Sequence, residues 1–154
     1  MEFAKECDLD DGFRRISKLL ETLDCHLAML PGMDVRGMSD LRLVCDEIGS
    51  NVVRHSTPKQ DTRLEIEIES NDESVTLRII DNGSEFNPLG QELPYIGDDL
   101  DKRQIGGLGL YLVKQLFPLA SYRRMDGHNV TEVEYHMGSE GNQKMQRASD
   151  LFIL

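Results

Sequence analysis

The sequence lacks the features that mark membrane-spanning, secreted or cysteine-rich metal-binding proteins. None of its apolar runs approaches the length of a membrane span, and Met1–Asp8 contain no apolar signal-peptide region. The three cysteines, Cys7, Cys25 and Cys45, are odd in number and show no Cys-x-x-Cys spacing, which favours reduced thiols over a disulfide or a metal site. We therefore expect a cytoplasmic chain that has no membrane partner.

Basic residues are also scarce: 17 Lys and Arg stand against 28 Asp and Glu, a formal net charge of −11. Because that charge repels phosphate backbones, nucleic acid is not an expected partner. A nucleotide site on this chain would need local positive potential from backbone N–H groups, a metal ion or a few placed basic side chains. The 154 residues, 39% of them hydrophobic and 29% charged, predict one globular domain, 1–137, followed by a tail, 138–154.

Apolar residues recur at three- and four-residue intervals in two successive segments, which predicts two amphipathic helices. The first extends from Asp11 to Pro31-Gly32. A loop, Met33–Met38, follows it. Ser39 is expected to cap the second helix, which Pro58 bounds at its far end. Each helix presents one apolar stripe to a core.

The pattern changes to strict alternation in Leu64–Glu69, where apolar and acidic residues take turns, as in a half-buried strand. A turn at Asn71-Asp72 leads to a second strand, Val75–Ile80, and strands joined so tightly must be antiparallel. Two further strands, Ala120–Met125 and Asn129–Met137, flank an Asp-Gly turn. The second half of the chain is therefore rich in hairpins.

The remaining segments complete the predicted topology. Glu2–Cys7 supply a short first strand, and Leu108–Leu116 supply a third helix that Pro118 closes. Ser84–Ile105 show no sustained periodicity, and a loop of that length in a compact domain is usually functional or mobile. The order β-α-α-β-β-loop-α-β-β predicts an α+β fold: a two-layer sandwich with the helices on one face of a mixed, mostly antiparallel sheet.

Glu47, Asn51 and His55 lie four residues apart, so their side chains follow one face of the second helix. A polar ridge of this kind is usually a solvated surface. Asn is its less routine member, because Asn has only average helix propensity and prefers caps. A neutral amide oxygen beside a carboxylate suits Mg²⁺, and a carboxylate one turn away can orient or deprotonate an attacking hydroxyl or water.

An acidic residue and a glycine directly follow the second predicted strand of the hairpin. An ordinary turn is the commoner explanation of Asp81 and Gly83. In the functional alternative, Asp81 accepts a hydrogen bond from the exocyclic amine of a base, and Gly83 lets the backbone pass close to that base.

Glycines lead into the third predicted helix in the run Gly106, Gly107, Leu108, Gly109 and Leu110. Glycines at this position expose several N–H groups at the positive end of the helix dipole, which is a ready phosphate site. Gly109 lies inside the helical pattern, where glycine costs roughly 1 kcal/mol relative to alanine and so needs a packing or ligand reason.

In order, the chain reads E-x-x-x-N-x-x-x-H on a helix, D-x-G after a strand, a long loop, and G-G-L-G-L at the start of a helix. That ordered set resembles the GHKL (Bergerat-fold) ATPases, the superfamily of gyrase, Hsp90, histidine kinases and MutL. Within it, the chain is most similar to the anti-sigma-factor serine/threonine kinases. The resemblance covers Asp8 to Met137, and Ser121–Arg124 followed by Asn129 are also similar to that subgroup's closing strands.

The resemblance implies a site for ATP and Mg²⁺ and a role for each matched residue. Asn51 would coordinate Mg²⁺, and Glu47 would be the general base or its orienting partner. Asp81 would bind the adenine amine, with Gly83 at the base, and Ser84–Ile105 would be the ATP lid. The phosphates would lie against the second glycine segment, which comprises Gly106, Gly107, Leu108, Gly109 and Leu110.

The function implied by the resemblance is transfer of the γ-phosphoryl group of ATP to a serine or threonine of a STAS-type anti-sigma antagonist. A sigma factor would be the second, sequestered partner, and a homodimer the favoured assembly. Two alternatives stay open. One is a non-catalytic nucleotide-binding regulator that sequesters a partner protein; the other is a detached histidine-kinase ATPase domain acting in trans.

A few residues fall outside this scheme. Glu85 stands where the subgroup usually has a second glycine, and its carboxylate would oppose the phosphates if it turned toward the nucleotide. Lys102 and Arg103 are expected to be solvated lid charges, with phosphate contact as the alternative. His55 is expected to pack or to cap rather than to take part in chemistry.

The apolar end, Leu151–Leu154, is expected to fold back onto the domain, with docking to a partner as the alternative.

Overall fold

The computed structural model describes residues 2–8, 13–55, 62–91 and 108–138, and within them the elements follow the predicted order. The strands are β1 (Glu2–Asp8), β2 (Arg63–Ser70), β3 (Ser74–Asp81), β4 (Ser121–Met125) and β5 (His128–His136). The helices are α1 (Phe13–Leu27), α2 (Val35–His55) and α3 (Leu108–Leu116), and a short 3-10 turn, Pro88–Gly90, follows β3. Several predictions lie outside the described residues, namely those for lid residues 92–105 with Lys102 and Arg103, for Gly106 and Gly107, and for the tail from 139 onward.

The strands form one sheet in the order β1-β2-β3-β5-β4, and all four pairings are antiparallel. The tight connection between β2 and β3 is held by Asn71. Its Oδ1 accepts hydrogen bonds from the backbone N–H groups of Glu73 and Ser74, each at 2.8 Å. An asparagine that bonds its own backbone two and three residues on is a common way to fix a turn, as the sequence predicted here.

The last strand, β5, lies between β3 and β4. Its hairpin with β4 turns through left-handed backbone at Asp126 (φ 48°) and Gly127 (φ 79°), the conformation that a two-residue hairpin requires. On its other side β5 pairs with the full length of β3, and this register sets Asp81 opposite Asn129. Two polar residues from distant parts of the chain therefore meet at one end of the sheet.

The three helices share a core with one face of the sheet. On β2 the inward-facing Leu64, Ile66 and Ile68 are each 1% exposed, whereas the glutamates between them are less buried. The helices contribute buried side chains to the same cluster: Ile16, Leu20, Leu23 and Leu27 from α1, Leu41, Val44 and Ile48 from α2, and Leu110 and Val113 from α3. The predicted α+β sandwich is confirmed. No helix among the described residues is long and apolar enough to cross a membrane.

The end of the first helix differs from the prediction. The apolar stripe suggested a helix that extends to Pro31-Gly32, but α1 ends at Leu27. Leu30 lies in the turn after the helix but is still buried, at 4% exposure. An apolar residue is therefore needed there, and it happens to continue the helical spacing of the sequence. Gly32 then takes a left-handed conformation, with φ 83°. At this turn a buried apolar residue therefore does not indicate a helix.

The start of the second helix also differs. α2 begins at Val35, inside the predicted loop, and its cap is Asp34 rather than Ser39. The Oδ1 atom of Asp34 accepts a hydrogen bond from the backbone N–H of Gly37 at 2.7 Å and another from the hydroxyl of Tyr135 at 2.9 Å. The second of these bonds joins the helix start to β5, a long-range contact that local sequence rules do not register.

We expect Asp34→Ala to lower the free energy of unfolding by about 1–2 kcal/mol, because it removes a helix cap and leaves the Tyr135 hydroxyl without this acceptor. Ser39→Ala is the matched control, because Ser39 is exposed inside the helix and its loss should change the stability by less than about 0.5 kcal/mol. Urea unfolding followed by circular dichroism measures both. A greater loss from Ser39→Ala than from Asp34→Ala would contradict the observed boundary.

Candidate functional site

The polar ridge of α2, formed by Glu47, Asn51 and His55, approaches the end of β3. Asn51 Nδ2 donates a hydrogen bond to the backbone carbonyl of Glu47 at 2.8 Å. This bond uses the amide nitrogen and leaves Oδ1, the atom that a cation takes, without a donor among the described residues. Asn51 and His55 line the same cavity as Asp81. The structure therefore brings two of the predicted site segments together.

The third segment joins them through Glu47, whose carboxylate lies against Gly109 near the start of α3. A side chain at position 109 would overlap the carboxyl carbon and both carboxyl oxygens of Glu47. That close approach is the packing reason for a glycine inside a helix, where it costs about 1 kcal/mol relative to alanine. The α2 ridge and the glycine-led start of α3 are thus in direct contact.

The first turn of α3 begins at Leu108, and its backbone N–H groups have no acceptor within the helix. They carry the positive end of the helix dipole. The side chain of Leu108 is 57% exposed, whereas that of Leu110 is 5% exposed and belongs to the core. Leu110 is therefore able to meet a ligand only through its backbone.

Asp81 is a buried acid at the end of β3, with 6% of its surface exposed. Its Oδ1 accepts hydrogen bonds from the backbone N–H of Gly83 and from Nδ2 of Asn129, each at 2.9 Å. No donor among the described residues reaches Oδ2. Burial raises the pKa of the carboxyl, while the bonds from Asn129 and Gly83 and the charge of Arg124 oppose that rise. Asp81 is thus a buried acceptor whose second oxygen is left for a ligand.

A cavity of about 150 Å³ lies between α2 and the loop that follows β3. Val52 and Phe86 supply apolar surface to its wall, and most of the other lining residues are polar or charged. Small-molecule sites combine apolar surface with placed polar groups. The complete lining comprises Asn51, Val52, His55, Asp81, Gly83, Ser84, Glu85, Phe86 and Asn129. A flat, partly polar ring with a hydrogen-bond donor on its edge fits this combination.

Asn129 organises the wall behind Asp81, a role that sequence reasoning missed when it placed this residue only in a closing strand. The side chain is 4% exposed, and its Nδ2 donates to the backbone carbonyl of Ser84 at 2.8 Å as well as to Asp81. Its Oδ1 accepts from the N–H of Phe86 at 3.3 Å, the hydroxyl of Tyr122 at 2.8 Å and Nη1 of Arg124 at 2.8 Å. The signal that reveals it is the β3–β5 register rather than any local spacing.

The loop after β3 contacts both the sheet and the helices. Arg124 Nη1 donates to the carbonyl of Gly83 at 2.9 Å, and Phe86 stacks on His55 at the end of α2, with ring centroids 5.7 Å apart and planes 24° apart. Packing is therefore the role that the structure gives to His55. Glu85, in the same loop, is exposed and lines the cavity, so a negative charge lies at its wall.

The carboxylate of Glu47 lies against the start of α3, and the amide of Asn51 lies one turn further along α2. Within the parts of the chain that the structure describes, no three His, Cys, Asp or Glu side chains gather so as to bind a metal by themselves. Asn51 offers one amide oxygen, a turn from the carboxylate of Glu47. A single hard oxygen ligand suits Mg²⁺, which keeps several waters and shares phosphate oxygens, better than it suits zinc.

Comparison with known proteins gives a consistent result. Residues 13–142 match the family described as the histidine kinase-like ATPase domain. The serine/threonine-protein kinase BtrW of Bordetella bronchiseptica is 31% identical over 116 residues, which cover 75% of this chain and 82% of that relative. The serine-protein kinases RsbW of Listeria innocua and Listeria monocytogenes are each 28% identical over 114 residues, which cover 71% of this chain and 73% of the relative.

The matched region contains the α2 ridge, the end of β3 and the start of α3, the three places that the fold brings together. The resemblance that the ordered motifs predicted is therefore confirmed at the level of the family, and this family implies ATP binding. The chain belongs to the histidine kinase-like ATPase domain family and has serine and serine/threonine protein kinases among its relatives.

Proposed function

We propose that the chain is a Mg-ATP-dependent serine/threonine protein kinase of the anti-sigma-factor type. The observation that carries the proposal is the contact between Glu47 and Gly109. It puts a carboxylate able to take a proton beside a helix start able to hold phosphates, one turn from the amide of Asn51. The protein kinases named above, at 28–31% identity, support the same class of reaction.

The adenine would occupy the cavity beside Asp81. Oδ2 of Asp81 would accept a hydrogen bond from the exocyclic amine, and Gly83 would leave room for the edge of the base. Because Oδ1 is already bonded to two protein donors, only Oδ2 is placed to read a ligand. Val52 and Phe86 would contact the apolar faces of the ring.

The triphosphate would lie between α2 and α3. The N–H groups of Leu108, Gly109 and Leu110 at the start of α3 would bind phosphate oxygens, and Gly106 and Gly107 would extend this cradle. Oδ1 of Asn51 would hold Mg²⁺, which, when bound, neutralises charge on the phosphates. This arrangement would supply the positive potential that a chain of net charge −11 otherwise lacks.

In the transfer step, Glu47 would accept the proton of a seryl or threonyl hydroxyl as the hydroxyl oxygen attacks the γ-phosphorus. The bond between that phosphorus and the β–γ bridging oxygen breaks, and ADP leaves. The chain contributes mainly orientation and charge stabilisation, which is what phosphoryl transfer demands of a protein.

The partner class follows from the resemblance to the anti-sigma-factor kinases. The phosphoryl acceptor would be a STAS-type anti-sigma antagonist, and the sequestered partner would be a sigma factor. The same resemblance favours a homodimer, and the sequence predicts a cytoplasmic chain with one globular domain, 1–137. Nucleic acid is not a proposed partner, since the net charge of −11 opposes it.

The test is transfer of label from γ-³²P-ATP to purified STAS-domain proteins from the same genome. We expect acid-stable phosphoserine or phosphothreonine on one of them. Acid-labile label on a histidine of a separate protein would instead support a detached histidine-kinase domain. Tight binding of a partner without any transfer would support a non-catalytic regulator.

The position of Glu85 favours the non-catalytic reading enough to be tested separately. Two unit charges about 10 Å apart in water interact by roughly 0.4 kcal/mol, and a triphosphate carries several charges. We therefore expect Glu85→Gln to tighten ATP binding about two- to fivefold at low salt, with the gain lost at about 0.5 M salt, as isothermal titration calorimetry would measure.

Glu134→Gln is the control, because Glu134 is exposed on β5 toward the end of the strand that lies far from the cavity, and it changes the net charge equally. If both variants shift the affinity by the same factor, only net charge matters. The carboxylate of Glu85 would then give no reason to doubt turnover.

A further inference from the structure

The orientation of the Asn129 amide is fixed by its neighbours. Arg124 Nη1 and the backbone N–H of Phe86 only donate, so the atom that faces them must be Oδ1. The carbonyl of Ser84 only accepts, so the atom that faces it must be Nδ2. A flipped amide would lose all three bonds. Asn129 therefore necessarily presents its N–H donors to Asp81.

This orientation decides how Asp81 meets a ligand. Its Oδ1 receives two donors, from Asn129 and from Gly83, and so has no place for a proton of its own. The remaining oxygen, Oδ2, is the only one that can either accept from a ligand or carry a proton. An ionised Asp81 accepts a hydrogen bond through Oδ2 and so selects a base that carries an amine on its edge. A protonated Asp81 donates a hydrogen bond from Oδ2 and so selects a base that carries a carbonyl there.

We propose that Asn129 is the positioning residue that keeps Asp81 an acceptor and thereby sets the preference of the site for purines that carry an exocyclic 6-amine. The inference rests on the proposed function, since it assumes that a purine nucleotide occupies the cavity. It assigns to Asn129, which also lines the cavity, control through Asp81 over which base is accepted. The five hydrogen bonds of Asn129 are what make it rigid enough to do so.

The charged surroundings of Asp81 come from several elements. Arg124 on β4 and His128 on β5 favour its ionised form, whereas burial opposes it. His55 on α2 and Glu85 in the loop also line the cavity. Because the bond from Asn129 is the largest of the contributions that lower the pKa of Asp81, its loss should raise that pKa further.

The test is the substitution Asn129→Asp, which replaces the amide NH₂ group of the side chain by an oxygen. This change keeps an oxygen for Tyr122, Arg124 and Phe86 but turns the donor that faces Asp81 into an acceptor. Affinities for ATP and for purine riboside triphosphate, which lacks the 6-amine, are measured by calorimetry with Mg²⁺ between pH 5.5 and 8. We expect the wild type to prefer ATP by about tenfold, the value of one hydrogen bond to a charged group, and the variant by less than about twofold.

The pH profile separates positioning from a general loss of structure. In the wild type, ATP affinity should fall only toward acid pH, where Asp81 becomes protonated. In Asn129→Asp that fall should move to higher pH, because a second carboxyl beside Asp81 and the loss of the Asn129 donor both disfavour the ionised form of Asp81. Affinity for purine riboside triphosphate should depend much less on pH in both proteins.

Asn82→Asp is the matched control. It makes the same substitution at the residue that follows Asp81, but Asn82 lines a different cavity with Arg63 and Glu65, and its Oδ1 accepts from the backbone N–H of Arg63 at 2.8 Å. That acceptor survives the change. We expect the preference of Asn82→Asp for ATP to stay within twofold of the wild-type value.

The outcomes distinguish this inference from the proposed function. If the wild type binds neither triphosphate, both fail; if it binds the two equally, the kinase proposal stands and this inference fails. A wild-type preference for ATP that persists in Asn129→Asp at every pH would overturn only the role of Asn129. If Asn129→Asp does not fold, Asn129→Ala, which removes the donor to Asp81 without adding a charge, should still lower the preference at least twofold; an unchanged preference there would also overturn it.

Discussion

Glu47→Gln is expected to slow phosphoryl transfer by a factor of about 10² or more while it changes ATP affinity by no more than a few fold. Gln has nearly the same size and keeps the contact with Gly109, but its amide does not take a proton at neutral pH. General-base catalysis contributes about 10²–10⁴ in rate, so the loss should appear in the transfer step and not in binding. Single-turnover transfer with saturating labelled ATP measures it.

Asp46→Asn is the control for this variant. Asp46 is the neighbouring residue on α2, it is exposed, and its removal changes the net charge by the same amount. Its hydrogen bond with the hydroxyl of Ser50 is long, at 3.4 Å, and connects it to no site residue. Transfer by Asp46→Asn should stay near the wild-type rate. Wild-type transfer by Glu47→Gln would remove Glu47 as the base.

Asp81→Asn is expected to weaken ATP binding at least tenfold. The substituted amide still offers an oxygen to Gly83 and Asn129, so its NH₂ group must face the cavity, where it would meet the adenine amine donor to donor. Loss of a hydrogen bond to a charged group costs about 1.5–3 kcal/mol, which is roughly a 10- to 150-fold change in affinity. Calorimetry with ATP, and with purine riboside triphosphate as the amine-free control, measures it.

The same variant should keep or gain stability when no ligand is present. Burial raises the pKa of Asp81, so its ionised form is less favourable in the folded chain than in the unfolded chain. That penalty is present above the folded pKa and disappears as the pH falls below the unfolded one. A neutral amide removes it at pH 7. A lower melting temperature together with unchanged ATP affinity would contradict the assignment of Asp81 to the base.

Local rules predicted the elements well where burial follows one period. The alternation of Leu64, Ile66 and Ile68 with glutamates marked β2 because one face of that strand lies in the core and the other does not. Local rules failed where contacts between distant residues determine the boundary of an element. Asp34 caps α2 partly because Tyr135, a residue of β5, donates to it, and nothing near Asp34 in the sequence indicates that partner.

The candidate site shows the same division. The four-residue spacing of Glu47 and Asn51 is enough to predict that they share one face of a helix, and Gly109 stands out in the sequence because a glycine inside a helix needs a reason. The structure supplies that reason as the carboxylate of Glu47. What the sequence did not show is Asn129, because its part in the site depends on a strand register between segments 48 residues apart.

The most direct test is to titrate the whole chain calorimetrically with adenylyl imidodiphosphate, a non-hydrolysable ATP analogue, in Mg²⁺ and again in EDTA. The titration asks whether the α2 ridge, the end of β3 and the start of α3 bind one nucleotide together. We predict one analogue bound per chain, with affinity at least tenfold lower in EDTA, because Asn51 would hold the metal against the phosphates. The absence of binding at millimolar analogue, or equal affinity with and without Mg²⁺, would contradict that arrangement.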